Sequence, residues 1–169
     1  MNDGGTDMGN DSDYPSMTHE QQWYYRPRSR LLRWSYRLAC VLNRCLIRMM
    51  FRFSVVGREH LPEGGAFVLA PNHSSPLDPP VLAAALPLNT LQNTFWAGKQ
   101  STVLRNWLRR FLSRLTRVIP IDHRADSLPS AMTILNDGHS LVWFPEGRRS
   151  LDGQLQPLNS GIVFILEQC

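Results

Sequence analysis

The sequence contains no uninterrupted apolar stretch of about twenty residues, the length a membrane-spanning helix requires. Lysine is nearly missing as well, with Lys99 alone among basic side chains that are otherwise arginine. Residues 26–58 hold no acid, and residues 1–20 hold no lysine or arginine. The polar, acidic beginning lacks the basic head and apolar run of a secretory signal. Cys40, Cys45 and Cys169 show neither paired nor metal-binding spacing, and three cysteines cannot all be bridged within one chain. A reducing compartment is therefore expected, with no metal ligand set. Solenoid-length repeats and nucleic-acid fold signatures are missing, so the basic excess alone gives no reason to expect nucleic acid as a partner.

What is present fits one domain: 169 residues can bury a single core. The net charge of +4 is unevenly spread. Asp3, Asp7, Asp11, Asp13 and Glu20 lie in a Gly/Asp/Ser-rich lead, which predicts a disordered acidic tail over residues 1–25. Residues 26–52 predict a basic amphipathic helix running from about Ser29 to Arg52. On a helical wheel Arg30, Arg33, Arg37, Arg44, Arg48 and Arg52 share one side. Leu31, Leu38, Leu42, Cys45, Leu46, Met49 and Met50 gather broadly opposite, with Trp34 at the boundary. Such a helix suits a lipid interface, with arginines on anionic headgroups and apolar side chains in the acyl boundary. The competing reading is a helix that packs its apolar side on the domain and leaves its arginines in water.

From Phe53 onward strand and helix patterns alternate. Strands are expected at Phe53–Val56, Ala66–Ala70, Thr94–Ala97, Val118–Ile121 and Ser140–Phe144. Helices are expected at Val81–Leu86, introduced by Asp78-Pro79 as cap and first turn, at Thr102–Leu115, and at Leu128–Leu135. The alternation predicts an α/β fold with a largely parallel sheet flanked by helices. Residues 102–115 carry Leu104, Trp107, Leu108, Phe111, Leu112 and Leu115 on one side. Core packing of that side is favoured over a border with lipid.

Two stretches lie where a parallel sheet collects reacting groups, just beyond strand ends. One is Asn72-His73-Ser74-Ser75-Pro76-Leu77-Asp78, the other Phe144-Pro145-Glu146-Gly147-Arg148-Arg149-Ser150. In this order and at this separation they resemble the glycerolipid acyltransferase family, whose best-known members acylate lysophosphatidic acid. That family shows Asn-His-four residues-Asp and, further on, Phe-Pro-Glu-Gly-Thr-Arg-Ser. Only Arg148 departs, standing where threonine is usual.

The resemblance implies an alcohol attacking a thioester. A hydroxyl is a poor nucleophile at neutral pH, and an imidazole can accept its proton if a carboxylate fixes the ring's tautomer. His73 and Asp78 take these catalytic roles, with no serine or cysteine nucleophile and no acyl-enzyme. Asn72, Glu146, Gly147, Arg148 and Arg149 are implied to bind the acceptor. Glycine admits close backbone approach to phosphate and arginine offers a planar fork to its oxygens. A weaker resemblance runs from Lys99 to about Arg124, through Val118-Ile119-Pro120-Ile121-Asp122-His123-Arg124. Histidine stands at the family's arginine position, and Arg124 follows one residue later as a further candidate for glycerol phosphate. Past the second signature, Leu158-Asn159-Ser160-Gly161 replaces a commonly Lys-containing stretch, and a later strand is expected to be missing.

Residues 53–169 are accordingly expected to form an acyltransferase domain incomplete at its C-terminal end. The expected activity is transfer of a fatty acyl group from acyl-CoA or acyl carrier protein, as co-substrate, to lysophosphatidic acid or a related lysophospholipid in phospholipid biosynthesis. The expected place is the cytoplasmic face of a membrane, held peripherally on its anionic surface without a cofactor. The alternative is a non-catalytic lipid-surface binding module.

Overall fold

The computed structural model describes residues 16–122 and 127–167. Thr18 opens the first helix, α1 (His19–Tyr25), through a reciprocal capping box with Gln21. Met17, Tyr24 and Tyr25 are buried, and the Gln21 amide donates to the Pro120 carbonyl at 3.0 Å while accepting from Ser130 Oγ at 2.7 Å. Residues 16–25 are thus an ordered part of the domain rather than disordered tail; residues 1–15 lie outside the described residues. Acidic composition upstream had masked two tyrosines with enough apolar area to hold the segment down.

Helix α2 (Arg30–Met50) is capped by the Ser29 hydroxyl, which accepts from the Leu32 N–H at 3.3 Å. Its two faces differ in a way the wheel did not show. Tyr36, Cys40 and Ile47 are buried, and Asn43 and Arg44 donate to carbonyls of Pro80, Ala84 and Leu86. Arg44 is therefore a clamp on the domain and not part of the outward arginine row. The opposite side exposes Leu31, Trp34, Leu38, Leu42, Leu46 and Met49.

Residues expected as a strand at Phe53–Val56 pair with nothing in the sheet, and Val55 and Val56 are exposed. β-branched residues make a strand only where a neighbouring edge accepts them. After a 3-10 turn at Arg58–His60 come β1 (Val68–Leu69), α3 (Asp78–Ala85), α4 (Leu88–Gln92) and β2 (Thr94–Lys99). The expected Thr102–Leu115 helix is two pieces, α5 (Gln100–Val103) and α6 (Trp107–Leu115). Asn106 divides them: its extended backbone stops one helix and its side chain accepts the Arg109 N–H at 2.8 Å to start the next. Core packing of the expected face holds only at its ends, where Leu104 and Leu115 pack on the core, since Trp107, Leu108, Phe111 and Leu112 are exposed. β3 (Val118–Ile121), α7 (Ser127–Asn136), β4 (Ser140–Val142) and α8 (Gly161–Glu167) complete the order.

The four strands are all parallel in the order β1-β4-β2-β3, with Phe95 beside Leu141 and Trp96 beside Val118 and Val142. Period-two alternation then divides the core. Phe95, Ile119 and Leu141 face α1, α7 and α8, whereas Trp96 and Val142 face Tyr36 and Cys40 of α2 together with Leu86 and Leu91. The fold is α/β, with helices on both sheet faces.

Gly98 lets β2 and β3 approach at the end where the loops gather. A Cβ there would overlap Val118 Cγ1 and stand 3.0 Å from Val103 Cγ2. Gly98→Ala should cost about 1–3 kcal/mol by overpacking, read as a lower urea midpoint with unchanged slope. A midpoint within error of the parent would show that the neighbours yield freely.

Candidate active site

The carboxyl ends of the strands converge on one cavity of about 390 Å³. Lys99 closes β2, Ile121 closes β3, Trp143 and Phe144 follow β4, and His73 stands in the loop after β1. Gly147, Asn159, Ser160 and Gly161 line it as well. His73 of the first signature and Gly147 of the second therefore look into the same space.

Asp78 is not an N-cap, contrary to the expectation for Asp-Pro. It is the first residue of α3, and Leu77 holds the cap position without a side-chain bond. Its Oδ2 instead turns back into the preceding loop. It accepts from the Ser74 N–H at 2.7 Å and the Ser75 N–H at 2.8 Å, and lies 2.8 Å from His73 Nδ1. Burial pushes this carboxyl up, but the Ser75 N–H, the His73 ring and the Ser74 N–H outweigh it and hold the acid below its ordinary value. With Nδ1 bound to a carboxylate, the neutral ring carries its proton there and leaves Nε2 to accept another. The ring also packs on Phe144 with centroids 4.4 Å apart, which limits its rotation.

Phe144-Pro145-Glu146-Gly147 forms a tight turn, closed by the Gly147 N–H donating to the Phe144 carbonyl at 3.1 Å. Gly147 has φ +65°, a left-handed value that favours glycine. Glu146 is only 5% exposed, and its two oxygens face backbone rather than cavity. One accepts the His73 N–H at 2.7 Å and the other the Gln156 N–H at 3.1 Å. The Ser150 N–H in turn donates to the His73 carbonyl at 2.8 Å. Both backbone groups of the histidine are thus held by the second signature. In this arrangement Glu146 holds the backbone of His73 in place.

Arg148 and Arg149 directly follow Gly147 and are exposed, with no acid paired to either among the described residues. Neither borders the cavity, and neither does Asn72, which is exposed at the start of the His73 loop. Arg124 lies outside the described residues. Sequence reasoning had left Lys99 out of the candidate set, yet it supplies the cavity with a cation at the end of β2. Its position as the sole lysine, two residues past the strand expected at Thr94–Ala97, is the available signal.

A family model described as Acyltransferase matches residues 52–169, from the end of α2 onward. The chain belongs to the acyltransferase family. Transfer of an acyl group is the chemistry this family membership supports, and the His73–Asp78 pair lies within the matched residues.

The depressed Asp78 acid gives a pH signature. A carboxyl whose folded pKa is lowered contributes stability above its ordinary value of 3.8, lost as pH falls through the folded value. The unfolding free energy of the parent minus that of Asp78→Asn should therefore be level above about pH 5 and shrink on acidification below about pH 4. A difference that grows on acidification would contradict the hydrogen-bond assignment.

Proposed function

We propose that this acyltransferase moves a fatty acyl group from an acyl-CoA or acyl carrier protein thioester to the free hydroxyl of lysophosphatidic acid or a related lysophospholipid, as a step in phospholipid biosynthesis. The observation that carries the reading is the shared cavity: a carboxylate-oriented imidazole lines it together with the Gly147 turn and Lys99, which offer anion-binding chemistry. The hydroxyl gives its proton to His73 Nε2 as its oxygen attacks the thioester carbonyl carbon. The new C–O bond forms, the tetrahedral centre collapses, and the C–S bond breaks. The imidazolium then returns the proton to the departing thiolate, so the histidine ends as it began. Transfer is direct, in a ternary complex with no covalent acyl-enzyme.

Arg148 and Arg149 are free to close on the phosphate through paired hydrogen bonds, which a planar guanidinium makes well. Asn72 and Arg124 belong to the same acceptor end in this reading. Among the described residues no helix is long and apolar enough to cross a membrane. Contact with the cytoplasmic face of an anionic membrane falls to α2, whose exposed Leu/Trp/Met side is flanked by exposed Arg30, Arg33, Arg37 and Arg48.

The test is incubation of purified protein with labelled acyl-CoA and lysophosphatidic acid, followed by separation of phosphatidic acid. His73→Ala should reduce turnover by about 10²–10⁴-fold, the usual contribution of a positioned general base. The same variant should sediment with anionic vesicles as the parent does. Equal turnover by the variant removes His73 as base. Vesicle binding without turnover by the parent would favour a lipid-surface module instead.

A further inference from the structure

Helix α6 presents to solvent what a folded monomer ordinarily hides. Trp107 is 77% exposed, and Leu108, Phe111 and Leu112 are each near half. All fall on one side of a nine-residue helix, a concentration that marks a contact surface rather than scattered surface apolar residues. The charge its own segment carries has a single sign. From Lys99 to Arg117 the chain carries Lys99, Arg105, Arg109, Arg110, Arg114 and Arg117 and no acid. Arg110 meets Glu20 at 3.5 Å and Arg114 lies over the Trp23 ring, but Arg105 and Arg109 remain exposed.

The helix is also placed beside α2. Arg28 Nη1, just before α2, donates to the Leu115 carbonyl at the end of α6 at 2.8 Å. Leu115 packs against the same core as Tyr36 and Cys40, so both helices cover one face of the sheet. Each leaves a row of large apolar side chains on its outward side, with arginines at the margin. From these observations we propose that α6 is a second membrane-inserting element, laying Trp107, Leu108, Phe111 and Leu112 into an anionic lipid surface beside α2. A second copy of the chain is a poorer occupant, because pairing the two faces would bring arginine rows together. Lipid matches both features at once: headgroup phosphates for Arg105 and Arg109, and acyl chains for the apolar side. The inference adds to the assignment of α2 and is independent of the acceptor's identity.

Trp107 is its own reporter. On vesicles of phosphatidylcholine mixed with phosphatidylglycerol, brominated acyl chains should quench the parent protein more than Trp107→Phe, the difference being the signal of Trp107 at acyl depth. Replacing both Leu108 and Phe111 with serine should weaken partitioning into these vesicles by about tenfold or more, given the apolar area removed. Turnover on a short-chain, water-soluble acceptor should be unchanged in that double variant. An unquenched Trp107, or equal partitioning of the double variant, overturns the proposal. So does sedimentation showing a lipid-free dimer that the double variant dissociates, which would identify a second copy as the occupant. Failure of lysophosphatidic acid as acceptor would appear in turnover alone and leave the quenching result untouched.

Discussion

The arrangement at the cavity depends on the way two distant loops hold one residue. The His73 N–H goes to Glu146 and its carbonyl takes the Ser150 N–H, so the loop after β1 is fastened to the turn after β4. β1 and β4 are neighbours in the sheet, which brings those loops within reach. A carboxylate as buried as Glu146 needs hydrogen bonds on both oxygens, and the Gln156 N–H satisfies the second. Asp78 then sets the ring from the opposite side. Removing any one of these fixes would loosen the imidazole, and in the proposed mechanism small displacements of the base are costly.

Much of this was legible in the residue order, for reasons that differ by element. Val118–Ile121 appears as a strand with the expected bounds, because a short β-rich run between turns has few alternatives. The two signatures were recognisable because each is compact, and parallel-strand topology brought them together. The detailed work of their members was not legible. Asp78 reads as a cap from its proline neighbours, and only the fold of Ser74 and Ser75 shows its oxygen turned the other way. The partners of Glu146 lie 73 residues upstream and ten residues downstream, a pairing that no local pattern encodes.

The outward helices show a different limit. Periodicity finds an apolar face but does not say whether protein, lipid or water meets it. In α2 the buried side is made of Tyr36, Cys40 and Ile47 with two polar clamps, a weaker apolar pattern than the exposed one. In α6 the same logic misassigned the face and overlooked the break at Asn106, where one side chain accepting one N–H divides a continuous pattern. Conversely, α1 was hidden by acidic residues that precede it, although its tyrosines are core.

The most direct measurement of the central claim is a nitrogen-15 NMR spectrum of histidine-labelled protein, with His73 assigned by its loss in His73→Ala. The neutral ring should be the Nδ1–H tautomer, its proton hydrogen-bonded to Asp78, and Glu146→Gln should broaden or shift that signal without unfolding the chain. A ring protonated on Nε2 instead would leave no base facing the cavity and would contradict the account.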